Sequence, residues 1–120
     1  MSDNFQIPDL AAFSLHVTVH VAEDNLPAFF EAMKPVFDRV AAEPECLYFE
    51  IFQDPAEPGK ISWVENWNAS PQWLFDVQLQ KEYYKPYFAA TLPMYVKERE
   101  FRILKRLGPE FLVQKSGNLE

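Results

Sequence analysis

Glycine is scarce in this chain, with three residues in 120. Loops that cradle phosphates need several glycines at fixed spacing, so that backbone N–H groups can approach the anion; a nucleotide-binding loop is therefore excluded. Cysteine is scarcer. Cys46 stands alone, cannot close an intrachain disulfide, and opens the apolar run 46–53, which reads it as an inert core thiol rather than a nucleophile. The chain holds two histidines, with no metal-ligand spacing and no Ser/His/Asp signature, so neither a metal nor another cofactor is expected. Positive charge is also short. The net charge is −7, and the one basic stretch, Lys97 to Arg106, is interrupted by Glu98 and Glu100, which argues against a nucleic-acid partner. No segment approaches the roughly 18 apolar residues of a membrane span. The start MSDNFQIPDLAA has neither a basic region nor an apolar core, so the expectation is no membrane contact and a cytoplasmic location.

What is abundant is aromatic surface: eleven Phe, five Tyr and three Trp, within a chain that is 48% hydrophobic. Such a chain folds rather than staying disordered, and its length suits a single domain over 1–120, with a core at about 13–107 and tails at 1–11 and 108–120.

Residues 13–21, FSLHVTVHV, alternate strictly, with Phe13, Leu15, Val17, Val19 and Val21 on one face and Ser14, His16, Thr18 and His20 on the other. This is a strand. Asp24 or Asn25 can cap a helix whose apolar stripe is Leu26, Phe29, Phe30, Met33, Phe37 and Val40, with Pro27 in its first turn and a bend expected at Pro35. CLYFEIFQ at 46–53 and ISWVENWN at 61–68, joined by DPAEPG, read as a hairpin. Ser70 and Pro71 open broken helical segments carrying Trp73, Leu74, Val77, Tyr83, Tyr84, Tyr87 and Phe88, which Pro93 ends. A last strand is expected from Tyr95 to about Leu107. The order is β-α-β-β-α-β, an α+β ferredoxin-like arrangement with a four-stranded antiparallel sheet and both helices on one face. Because 46–52 is apolar on both faces, a second copy of the chain is the simplest cover for the other side.

A helix ending in AEPEC, the strand LYFEIFQDP, the turn AEPG and a strand carrying VENW together resemble the antibiotic biosynthesis monooxygenase domain of the dimeric α/β barrel superfamily, over roughly residues 13–106. The best anchors are Glu50 and the pair Glu65 and Trp67. The resemblance implies a homodimer and a cofactor-independent monooxygenase that deprotonates a small aromatic or polyketide-like phenol and lets the anion react directly with oxygen. The same fold also hosts isomerases or cyclases that work without oxygen, and non-catalytic small-molecule-binding or stress-related dimers. Many members carry a His nine or ten residues past the Trp; here the neighbourhood reads WLFDVQLQKEYY, which argues against haem ligation.

Such chemistry needs a base, donors for an oxyanion and a dry aromatic pocket. His16, near the middle of the first strand, is the candidate base, with Tyr84 and Arg99 as further catalytic groups; Arg99 can stabilise a phenolate or enolate, or form a surface ion pair. His20, Trp67, Trp73, Gln78, Tyr83 and Tyr87 are candidate substrate-binding residues, and both histidines could equally be packed in a dimer seam. Glu50 and Glu65 sit in apolar strands and are structural partners or possible bases, within reach of one another across the hairpin or of Lys and Arg from the last strand.

Overall fold

The computed structural model describes residues 5–119; of the expected tails, residues 1–4 and 120 lie outside the described residues. Four strands and three helices follow in order: β1 (Phe13–His20), α1 (Leu26–Ala41), β2 (Cys46–Gln53), β3 (Lys60–Trp67), α2 (Pro71–Asp76), α3 (Tyr84–Thr91) and β4 (Glu100–Leu104). The sheet is antiparallel with strand order β2-β3-β1-β4, as the ferredoxin-like reading requires.

The strict alternation of β1 decides which face is buried. Phe13, Leu15, Val17 and Val19 join Ile61, Trp63 and Trp67 of β3 and Phe29, Met33, Val36 and Val40 of α1 in one core. The helices therefore cover the apolar parity, and the parity bearing His16 and His20 forms the opposite, outer face.

Local chemistry fixes the connections. Asp54 Oδ1 accepts the backbone N–H of Ala56 at 2.8 Å and of Glu57 at 3.1 Å, folding the turn between β2 and β3. Gly59 lies so close to β1 that a Cβ there would come within 2.2 Å of the Val21 carbonyl oxygen; only glycine fits. Ser70 caps α2 by accepting the Trp73 N–H at 3.1 Å, as its position before Pro71 implies. At α1 the expected cap is missing: Asn25 occupies the capping position but makes no side-chain bond, because a 3-10 turn over Glu23–Asn25 already leads into the helix. The second helical region is two short helices joined by a 3-10 turn at Gln78–Gln80, with Pro86 in the first turn of α3, where its missing N–H costs nothing.

The last strand is shorter than expected. Thr18 pairs with Glu100, and the next bridge joins Val21 to Tyr95, so two residues of β1 face four of the other chain segment, 96–99. Val96 still donates its N–H to the His20 carbonyl at 2.8 Å, and residues 97–99 run on as a loop. Arg99 therefore stands off the sheet, at the edge of the helix layer.

Candidate active site

Between sheet and helices lies a cavity of about 120 Å³, partly open to solvent. That is near the ~150 Å³ of an engineered apolar cavity known to take benzene, so one aromatic ring fits inside while further substituents reach through the mouth. Its floor is Leu15, Val17, Phe49 and Trp63; its walls are Met33, Val36, Leu74, Leu79, Tyr84, Tyr87 and Phe88. Exposed Arg99 marks the mouth, beside Phe101 and over the face of Phe88, with its guanidinium 5.8 Å from the ring centre.

One carboxylate faces this apolar space. Glu65 is buried, and its two oxygens accept indole N–H groups from the same strand, Trp63 Nε1 at 2.9 Å and Trp67 Nε1 at 3.0 Å. Alternation along β3 places 63, 65 and 67 on one face, which is why the three side chains meet. Burial pushes the Glu65 carboxyl up to about 7, although the Trp67 and Trp63 hydrogen bonds pull the other way. A carboxyl poised near neutrality beside an apolar pocket is suited to accept a proton.

The tyrosines are donors rather than bases. Burial raises the Tyr84 and Tyr87 hydroxyls well above their ordinary values, so both remain protonated at any working pH. Tyr84 belongs to a line of hydrogen bonds reaching the surface. Gln78 Nε2 donates to Tyr84 Oη at 2.9 Å and to Tyr83 Oη at 2.6 Å; Tyr83 donates to Glu43 Oε2 at 2.7 Å, and Lys81 Nζ reaches the same oxygen at 2.7 Å. The buried Gln78 Oε1 has no partner.

Of the residues singled out from the sequence, Glu65, Tyr84, Tyr87 and Arg99 line the cavity together. His16 does not reach it. It stands on the outer face, bonded to Ser14 Oγ at 3.0 Å, and burial followed by the neighbouring Arg102 lowers its pKa. His20 shares that face and meets Glu100 at 3.2 Å. The reason is the hydrophobic effect: an apolar parity and a polar parity competed for the helices, and the apolar one took them. Glu50 and Glu65 do not approach one another either. Opposite parities put Glu50 on the outer face, where it accepts the Tyr48 hydroxyl. Trp67 stands behind Glu65, with Trp73 packed on it at 5.8 Å between ring centres; neither wall is presented to the cavity. Gln78 and Tyr83 act on Tyr84 rather than lining the space. Cys46 is half-buried and packs against the edge of the core rather than within it, and burial raises its thiol pKa.

Trp63 and Glu43 escaped the sequence reading. Trp63 carried a usable signal, since its spacing from Glu65 is the same as that of Trp67. Glu43, in the AEPEC loop, carried none, because its partners come from residues some forty positions away. Among the described residues no group of three or more His, Cys, Asp or Glu is placed to hold a metal ion, and no helix is long and apolar enough to cross a membrane.

No family model matches the chain. A curated protein of Pestalotiopsis microspora, named "Putative monooxygenase GME11364", is 36% identical over 94 residues, 78% of this chain and 78% of its own length. A solved structure named "Putative antibiotic biosynthesis monooxygenase from Nitrosomonas europaea" superposes with a TM-score of 0.74 at 20% identity, covering 88% of this chain and 96% of that one. A second, from Caulobacter crescentus CB15 and similarly named, gives 0.73 at 21% identity over 82% and 92% of the two chains.

Proposed function

The chain belongs to the antibiotic biosynthesis monooxygenase family, and from that premise we propose that its cavity oxidises a small aromatic or polyketide-like phenol with molecular oxygen, using no cofactor. The observation that carries this reading is Glu65: a carboxyl raised to about 7 by burial and hydrogen-bonded by two indoles, facing a space the size of an aromatic ring.

In this reading an anthrone-like substrate binds with its reactive CH₂ beside Glu65. The carboxylate takes one proton, leaving a delocalised anion whose oxygen receives a hydrogen bond from Tyr84. The anion gives one electron to O₂, the radical pair combines to a peroxide, and loss of water yields the carbonyl. One oxygen atom enters the product and the other leaves as water, so CH₂ plus O₂ becomes C=O plus H₂O without an outside reductant. Neutral Glu65 avoids placing two negative charges side by side in an apolar site, and Arg99 at the mouth adds a favourable potential.

The test is oxygen uptake by the purified protein against a panel of anthrone-like and polyphenolic compounds. Stoichiometric uptake that falls by ~10²-fold or more in Glu65→Gln is expected of a lost general base. Equal turnover under anaerobic conditions would replace the oxygenase with an isomerase or cyclase built on the same base, and saturable binding without turnover would leave a binding protein.

The homodimer belongs to the same proposal. Phe52 and Leu104 are 43% and 37% exposed on the outer face, beside half-buried Val64. A second copy applied to that face would cover them; a monomer by light scattering at micromolar concentration would refute this part.

A further inference from the structure

Two hollows meet at Arg99. The cavity of about 120 Å³ ends there, and a wider, more open groove of about 590 Å³ shares Arg99 and Phe101 with it. The rest of the groove is Leu92, Tyr95, Val96, Lys97 and Glu98. A molecule whose ring fills the cavity can therefore extend through the mouth and along this groove. A second copy on the outer face would leave it open: Phe101 pairs directly with Val17, which belongs to the core, so Phe101 and the groove it lines lie on the helix side of the sheet.

The chemistry of the groove is mixed. Leu92 and Val96 are 54% and 62% exposed, apolar surface that an aliphatic stem can cover. Lys97 and Arg99 set two cations against the carboxylate of Glu98, which is itself engaged. Among the described residues neither cation has a carboxylate partner. Arg99 is steadied instead over the Phe88 ring, 5.8 Å from its centre, a contact that needs none of its N–H donors. A planar guanidinium left in that state matches a carboxylate with two parallel hydrogen bonds. The chain as a whole carries −7 and repels anions from most of its surface, so unpartnered cations at the mouth of the cavity are a local exception.

We propose that the substrate carries a carboxylate on a short aliphatic arm, and that Arg99, with Lys97 in the same groove, is the specificity determinant that holds this carboxylate while the ring lies in the cavity. This rests on the cavity being the active site, and it narrows the class of molecule served there from a phenol to a phenolic acid.

The test compares phenylpropanoate with phenylpropanamide, which share a ring and an arm and differ in charge. Binding is followed by the indole N–H resonance of Trp63, a residue of the cavity floor, assigned by its loss in Trp63→Phe. At about pH 6 the free acid is ionised while Glu65, raised to about 7, is mostly protonated. The acid should bind the wild type roughly five- to tenfold more tightly than the amide, the range of a charge-assisted bond discounted for exposure. In Arg99→Gln that ratio should fall to about one, with the amide Kd held within about twofold; R99K should keep part of it, and Lys97→Gln should lower it less than R99Q. Rising salt should shrink the wild-type ratio. In oxygen uptake, anthrone-type substrates with a carboxylate arm should show a lower KM than their amides in the wild type and not in R99Q.

Equal Kd values for acid and amide in the wild type overturn the proposal, as does a preference that survives in R99Q. An R99Q loss shared equally by both compounds would reduce Arg99 to shaping the mouth. A Trp63 resonance that neither compound moves would remove the cavity as a ring site, and this proposal with it. A carboxylate preference that depends on Arg99 in a protein consuming no oxygen would uphold the acid site and remove the oxygenase reading instead.

Discussion

The indole N–H of Trp67 meets Glu65 at 3.0 Å, two residues back on the same strand, and the Trp63 N–H meets the other carboxylate oxygen at 2.9 Å from the opposite side. The pair of indoles makes a buried carboxylate tolerable without a cation. Removing the Trp67 donor in Trp67→Phe should therefore destabilise the anion and raise the Glu65 pKa above its value of about 7. A hydrogen bond to a charged group is worth about 1.5–3 kcal/mol, so the rising limb of the kcat/KM–pH profile should move up by roughly one pH unit or more. Trp67 does not line the cavity, so substrate contacts are spared. A limb that stays in place would show that Glu65 is not the titrating base.

Glu65 also leaves a mark on stability. Its folded-state pKa is raised from 4.5 to about 7 by burial, the equivalent of roughly 3 kcal/mol. Because the raised value favours the protonated form in the folded protein, this contribution is present in full below 4.5 and is lost as the pH rises through about 7. Urea unfolding at about pH 4.5 and pH 8 should show the wild type losing stability relative to Glu65→Gln over that interval. The comparison with the variant cancels the remaining groups, including His16, whose lowered pKa acts in the opposite direction. Parallel pH dependence in the two proteins would place the Glu65 carboxyl in a wetter setting.

His16→Ala should leave oxygen uptake within about twofold of the wild type, since its ring lies on the outer face with Ser14 and is absent from the cavity wall. A loss of tenfold or more, in the range of a removed general base, would contradict the assignment of the base to Glu65.

These assignments show where the sequence speaks and where it is silent. Strand alternation in FSLHVTVHV and the Ser70-Pro71 start are local, and both are found as read. Alternation also sorts Glu65 from Glu50, once it is known which face meets the helices. That choice between faces is global, decided by competing apolar areas, and it moved His16 out of the site. The loop carrying Arg99 follows from a mismatch of two residues against four between neighbouring bridges, which no pattern in Tyr95 to Leu107 announces. Glu43 was invisible for the same reason, because its role is created by residues that folding brings to it.

The close approach of Gly59 to β1 gives a last prediction, independent of any substrate. The Val21 N–H donates to the Gly59 carbonyl at 2.8 Å, which holds the end of the β2–β3 turn against the first strand. A Cβ at position 59 would sit 2.2 Å from the Val21 carbonyl oxygen; the Cβ is fixed directly to the backbone and the oxygen belongs to it, so neither can rotate away. In Gly59→Ala the turn must shift off β1, loosening that bond and the strand register that sets the cavity floor. A substitution that forces backbone movement of this kind falls at the upper end of ordinary point-mutant effects, about 2–3 kcal/mol. The urea midpoint should fall accordingly, and since Gly59 is remote from Glu65 in the sheet, the pH limb of any residual activity should not move. A midpoint equal to the wild type would mean that the turn tolerates the displacement, and that the contact with Val21 contributes little to the fold.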